Sequence, residues 1–378
     1  MSRRVDGFCV AALLFAVAAP VLGMGRETAP VSVTAYPEMM ALLLAVVVVS
    51  AWFAWRGVRG PKDAVLLLAV VAIGVVVTLR ALYDHGLAGQ AGAGYWAAIL
   101  ALWALAWRGI DRIVGYRTLN PRTQRIIDGL VPALFGAWLI FVWEVAVAGF
   151  GVPQVLLPAP SMIAARFAGS LGTLWADFIQ TFVKAVISGY VLGCGSGFLV
   201  AILVDRVPFL RRGLLPLGNL VSALPIIGIA PIMVMWFGFD WPSKAAVVVV
   251  MTFFPMLVNT VAGLAAAGGL ERELMRSYAA DYWQTFFKLR LPAALPFIFN
   301  ALKINSTLAL IGAIVAEFFG TPIVGMGFRI STEVGRLNVD MVWAEILVAA
   351  LAGSLFYGAV ALIERALTFW HPSYRPSR

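Results

Sequence analysis

Ten apolar runs, most of them close to the length that carries a helix across a bilayer, decide what this chain can become. They cover about 8–24, 38–55, 64–82, 95–107, 127–150, a run ending near 204, 214–238, 244–267, 297–319 and 342–369. A spanning helix needs about 20 such residues, so the fourth run reaches across only with its flanks. With 62% hydrophobic and 12% charged residues, no aqueous core is large enough to hide this surface. The fold class expected is an all-α polytopic membrane protein of about ten transmembrane helices. Backbone groups inside lipid must be satisfied within each segment, which leaves helices as the answer to runs of this kind.

The first run follows Ser2-Arg3-Arg4 and has the basic start of a signal peptide. It lacks a clean small-x-small end, and further spans follow at once, so a spanning helix is the better reading. Residues 1–110 read as four helices in tight succession. A connector at 111–126, with Arg112, Arg117, Arg122, Arg125 and the turn Asn120-Pro121, separates them from a second membrane region at 127–371. Cys9 and Cys194 both sit in apolar runs, as packing groups rather than a disulfide pair.

Net charge is +9, which in a soluble chain would suggest nucleic acid, but the placement of the basic residues points to membrane topology instead. With the amino terminus inside the cell, 21 of the 28 Lys and Arg fall on the cytoplasmic side, among them Arg56, Arg108, Arg206, Arg276 and Arg290. Arg26, Arg80, Arg166, Lys184, Lys244, Arg329 and Arg336 make up the other side. Both termini are therefore expected in the cytoplasm of a cell whose inner membrane the chain spans.

After residue 126 one long stretch, Glu273 to Pro296, mixes charged, polar and apolar residues between two apolar runs. Gly268 and Gly269 precede it, and Pro292 and Pro296 interrupt it. Leu270, Leu274, Tyr278 and Tyr282 recur every fourth residue, which predicts an amphipathic helix. Glu273, Arg276, Ser277, Asp281 and Gln284 line the polar side. An apolar stripe on such a helix requires a cover, either lipid headgroups or a partner protein.

The stretch resembles the cytoplasmic loop of permease subunits in binding-protein-dependent ABC importers, whose pattern is Glu-Ala-Ala, three residues, Gly, nine residues, Ile, one residue, Leu-Pro. Glu273 takes the Glu position, Ala279 the Gly position, Leu289 the Ile position, and Leu291-Pro292 the final pair; Leu274 and Met275 replace the two alanines. Leu157-Pro158-Ala159-Pro160-Ser161, Leu224-Pro225, Pro231, Trp236-Phe237-Gly238, Phe254-Pro255, Asn259, Ala316-Glu317 and Gly325-Met326-Gly327 are similar to the branch that imports nitrate, sulfonates, taurine and pyrimidine-type nutrients. The resemblance implies a type I permease core of six helices behind a four-helix amino-terminal extension, with 268–296 as the coupling loop. It implies an ATPase subunit docked on Leu274, Tyr278, Ala279 and Ala280, oriented by Glu273, Arg276 and Asp281, with Ser277, Leu291 and Pro292 completing the motif. A periplasmic or lipid-anchored substrate-binding protein and a second copy of the permease complete the machine, surrounded by membrane lipid.

Pro225, Pro231 and Pro255 lie inside apolar runs, where each frees a carbonyl that lipid leaves unsatisfied, so with Asn259 and Glu317 they are candidates for the solute path or its gate. Packing alone explains such prolines equally well. Gly189, Gly193, Gly195 and Gly197 suit close helix contact. Among the ionisable residues of the runs, Lys184 and Glu364 are placed to snorkel, and Glu144 and Glu345 have weaker claims to a cavity. The sequence contains no phosphate loop of the Gly-x-x-x-x-Gly-Lys-Ser/Thr type and only two histidines, His85 and His371, so neither ATP hydrolysis by this chain, nor a metal, nor a cofactor is expected. The alternative reading is an ion-coupled secondary carrier, which calls for paired intramembrane carboxylates and repeats that the sequence does not display.

Overall fold

The computed structural model describes residues 6–25, 33–118, 120–222, 225–320 and 323–370; Ser2, Arg3, Arg4, Arg26, Leu224, His371, Arg375 and Arg378 of the sequence reading lie outside them. Packing divides the chain into two compact units, Met1–Met162 and Ile163–Arg378. The described elements of both are helices. Among the described residues, seven spans are long and apolar enough to cross a membrane, and Gly7–Leu22 and Ile226–Phe237 are apolar but shorter.

In the first unit, α1 (Gly7–Leu22) packs on α2 (Pro37–Arg56) and α4 (Ala93–Val114), α3 (Pro61–Tyr83) packs on α4, and α5 (Pro121–Phe150) packs on both α3 and α4. Proline opens α2, α3 and α5, where its missing N–H costs nothing. Cys9, Ala12, Ala16 and Ala19 form the buried stripe of α1, small enough for its neighbours to approach closely. Asp6 pairs with Arg108 at 2.5 Å at one end of this bundle. Near the far end of α3, Tyr83 donates to Glu144, whose carboxylate also accepts the Ser161 N–H at 2.8 Å and hydroxyl at 2.7 Å. Glu144 therefore ties α3, α5 and the proline-rich loop before α6 (Pro160–Gly169) together. By packing, α5 lies with the first four helices in this unit.

In the second unit, after the end of α6, one long span follows in which α7 (Leu171–Phe178) runs through a π-helical segment, Ile179–Val186, into α8 (Ile187–Arg206). Next come α9 (Pro208–Ser222), α10 (Ile226–Phe237) and α11 (Trp241–Ala265). The short helices α12 (Gly269–Ser277) and α13 (Tyr282–Thr285) lead through a second π-helical segment, Phe286–Arg290, into α14 (Leu291–Glu317), followed by α15 (Met326–Gly335) and α16 (Val339–Leu367). The centre is α11, packed along both α8 and α14, with α16 on the other side of α14. Of the four glycines expected at a close contact, Gly189, Gly193 and Gly197 face α11; a Cβ on Gly197 would lie 2.5 Å from the Phe253 carbonyl oxygen. Gly195 faces open space instead, because its place on the helix turns it away from the seam.

The expected span at 214–238 is not one helix. The chain breaks between α9 and α10, and Pro225 is the extended residue that precedes α10. Glu364 does not snorkel: it is buried and pairs with Lys303 at 2.7 Å.

Candidate functional site

Between α11 and α14 the chain leaves the bundle. Gly268 is extended, α12 rises over nine residues, and then it stops. The Ala280 N–H donates to the Met275 carbonyl at 3.0 Å and the Ala279 N–H to that of Arg276 at 2.9 Å, the paired bonds of a Schellman end. Ala279 holds φ at 51°, in the left-handed region. For an L-residue this conformation costs about 1–2 kcal/mol, which is why the pattern it resembles has glycine there. Asp281 restarts the helix as a cap: its carboxylate accepts the Gln284 N–H at 2.6 Å, while the Gln284 side chain accepts the Asp281 N–H at 3.1 Å.

The four-residue stripe is consequently cut at 278–281, and this corrects the single helix expected from its spacing. Tyr282 turns inward onto the core formed by α8, α11 and α14, where Phe286 is buried. Leu270, Leu274 and Tyr278 remain outside, 80%, 55% and 77% exposed. Glu273 and Arg276 lie on the same helix, which has no buried residue. Leu291 and Pro292 open α14.

The base of this projection is fixed by residues that sequence reading did not single out. Arg290 forks onto Asp205 at 2.7 and 2.6 Å and also donates to the Leu264 carbonyl. The Arg206 guanidinium lies over the rings of Tyr282 and Trp283, at 4.9 and 5.7 Å. Arg272 reaches back to the Ala265 carbonyl at 2.6 Å. The available signal was a charged pair, Asp205-Arg206, ending one apolar run and Arg290 beginning another. The geometry is that of a rigid base with an unpartnered apolar top.

A second cluster sits at the opposite end of the long spans. Glu317 accepts the Thr181 hydroxyl and the Gly327 N–H, each at 2.7 Å, and Thr181 in turn accepts the Met326 N–H at 2.8 Å. Asp177 accepts the Gly325 N–H at 2.6 Å and Arg329 Nε at 2.9 Å. Lys244, buried, donates to the carbonyls of Phe239 and Gly320. These side chains fasten the turn before α15 to α14 and the π-helical segment. Gly325 has φ 142°, and a Cβ there would meet the Glu317 carboxylate at 2.7 Å, so the glycine is required twice over. Glu317 itself is 2% exposed. The other path candidates are more dispersed. Pro255 and Asn259 share α11, where Asn259 Nδ2 donates to the Pro255 carbonyl at 2.8 Å, whereas Pro231 lies inside α10 and Pro225 precedes it.

Comparison with known proteins agrees with this architecture. The profile of the binding-protein-dependent transport system inner membrane component matches residues 189–369. The formylaminopyrimidine transport permease protein of Halalkalibacterium halodurans is 32% identical over 247 residues, 65% of this chain and 98% of that one. The riboflavin transport system permease protein of Chloroflexus aurantiacus is 30% identical, over 62% of this chain and 88% of its own length. The taurine transport system permease protein of Escherichia coli is 26% identical, over 69% and 95%. With one relative at 32% identity matched over nearly its whole length, the chain belongs to the family of binding-protein-dependent transport system inner membrane components, the permeases of ABC transporters.

Proposed function

We propose that this chain is the membrane subunit of an ATP-driven importer, and that α12 with the turn 278–281 is the handle by which a separate cytoplasmic ATPase moves it. The observation that carries the reading is the contrast between a riveted base and an exposed top: Arg290 and Asp205 fix the one, while Leu270, Leu274 and Tyr278 are left uncovered on the other. An exposed apolar helix face of this kind fits a groove in a partner, and a rigid base passes on the partner's movement without bending. In this reading Glu273, Arg276, Ser277 and Asp281 set the orientation, Ala279 and Ala280 allow close approach, and Leu291-Pro292 joins the handle to α14. Two permease chains, each of six core helices behind the four-helix extension, enclose the path, with both termini in the cytoplasm. A periplasmic or lipid-anchored binding protein delivers the solute. The names of the relatives, which include taurine, formylaminopyrimidine and riboflavin permeases, support a small organic or anionic nutrient as cargo.

Co-expression with a candidate ATPase subunit of an ABC importer tests the reading. The purified chain alone hydrolyses no ATP, the complex does, and Leu274→Glu with Tyr278→Glu removes the ATPase from the complex while leaving the chain folded. A cysteine placed at position 281 that reacts only with reagents outside the cell overturns it.

A further inference from the structure

In the first unit, α2 and α3 form a hairpin with a groove of about 700 Å³ between the two helices. Glu38, Ala41 and Ala45 line it from α2, and Ile73, Val77 and Arg80 from α3, each set at the spacing of one helix face. Ala41, Ala45 and Ala72 are too small to fill the space, which is why a groove remains where the two helices otherwise pack. Its lining on α3 runs from Val70 to Arg80, ten residues, or about 15 Å at 1.5 Å per residue. That is half of a hydrocarbon core of about 30 Å, the depth of a single leaflet. An acyl chain has this reach, whereas a spanning helix from another protein needs a seam about twice as long.

The charges of the groove sit together at one end. Glu38 is in the first turn of α2 and Arg80 in the last turn of α3, and they face each other at 3.7 Å, beyond hydrogen-bond length. Their side chains are 47% and 58% exposed, and among the described residues neither makes a hydrogen bond. The guanidinium therefore keeps its N–H donors and the carboxylate its acceptor positions for a third party. An open ion pair of this kind contributes little stability by itself. A carboxylate beside a guanidinium is the counterpart of an ammonium beside a phosphate, the two charges of a phosphoethanolamine headgroup. A choline headgroup brings no N–H to Glu38, and a glycerol headgroup brings no positive charge.

We propose that the groove between α2 and α3 is a binding site for one phosphatidylethanolamine molecule, with its phosphate on Arg80, its ammonium on Glu38 and one acyl chain laid along Ala41, Ala45, Ala72 and Ile73. The planar guanidinium suits a phosphate, which it meets with two N–H groups at once. Bulk lipid covers any outward face of a spanning helix, but without preference among headgroups. The preference comes from the charged pair, and the hold on the chain from the three alanines. The site lies wholly within the first unit and needs no ATPase, so it stands apart from the coupling handle.

The test is native mass spectrometry of the purified full-length chain in detergent, titrated in turn with the dioleoyl forms of phosphatidylethanolamine, phosphatidylcholine and phosphatidylglycerol. One saturable ethanolamine-lipid adduct per chain is expected, with an apparent affinity at least tenfold above that of the other two. Glu38→Gln brings the ethanolamine lipid down to the level of the choline lipid, and Arg80→Gln weakens it at least tenfold. Ala45→Leu with Ala72→Leu fills the groove, leaves both charges in place and also weakens it at least tenfold. Should Arg80→Gln melt below wild type, Glu38→Gln and the leucine pair decide. Equal affinity for the three lipids, or undiminished affinity in the variants, overturns the proposal. So does efficient oxidative cross-linking of Ile73→Cys between two chains, which puts a second copy where the lipid belongs.

Discussion

Arg290 holds Asp205 through two parallel hydrogen bonds of 2.6 and 2.7 Å across 85 positions of sequence, joining the start of α14 to the end of α8. Both side chains are largely withdrawn from solvent, at 16% and 5% exposure. Arg290 spans further, to the Leu264 carbonyl at the end of α11, so three helices meet on one guanidinium.

Removing one partner of a pair buried to this degree costs about 3–5 kcal/mol, because the other charge is left behind. Asp205→Ala is therefore expected to lower the melting temperature of the purified chain and to abolish uptake. Arg290→Lys keeps the charge but not the fork, and is expected to lose transport coupling with a smaller loss of stability. Thermal melting alongside uptake in cells checks both, and an Asp205→Ala chain with wild-type melting removes the rivet from the account.

Ala279 offers a substitution in the favourable direction. Its φ of 51° costs about 1–2 kcal/mol for alanine and nothing for glycine, against about 0.4–1 kcal/mol of extra freedom that glycine brings to the unfolded chain. Ala279→Gly should leave the complex with the ATPase intact and stabilise the turn slightly. Ala279→Val, which adds a branched side chain in the same conformation, should weaken co-purification of the ATPase at least tenfold. Measuring ATPase retained on the tagged permease separates the two outcomes.

Most of the spans were legible because length and apolar continuity depend on local sequence, and so was the polar excursion between α11 and α14, marked by its charge and by Leu291-Pro292. The stop at Ala279 was not, since alanine carries no turn signal and only the backbone reveals its left-handed conformation. The break before α10 was hidden for a related reason: Pro225 in an apolar run reads as a kink within one helix, whereas here it precedes a new one. Pairs such as Asp205 with Arg290 and Glu364 with Lys303 join distant positions and leave no periodic trace. Gly195 shows the limit of residue type alone, as a glycine among three seam glycines that turns to open space.

Glu317 has both carboxylate oxygens engaged, one by Thr181 and one by the Gly327 N–H. Glu317→Gln exchanges one acceptor for an amide donor, so one of these donors loses its acceptor. A hydrogen bond to a charged group contributes about 1.5–3 kcal/mol. Loosening of the turn before α15 is expected, read as faster hydrogen exchange at Met326 and Gly327. Unchanged exchange together with unchanged uptake excludes Glu317 both as fastener and as gate.

The seam between α8 and α11 gives a paired test within one helix. A Cβ at position 197 would lie 2.5 Å from the Phe253 carbonyl oxygen and 3.1 Å from Met256 Cβ, and backbone cannot move aside as a flexible side chain does. Forcing helices apart in this way costs about 1–3 kcal/mol. At position 195 a Cβ meets nothing within 4 Å. Alanine is the better helix former by about 1 kcal/mol, so the same change there is neutral or stabilising. Gly197→Ala is thus expected to lower the melting temperature and the yield of folded chain, and Gly195→Ala to hold or raise both. Equal effects at the two positions would mean that the α8–α11 contact does not have this register. The register matters to the loop as well, because α8 ends at Asp205 and Arg206, which hold Arg290 and Tyr282.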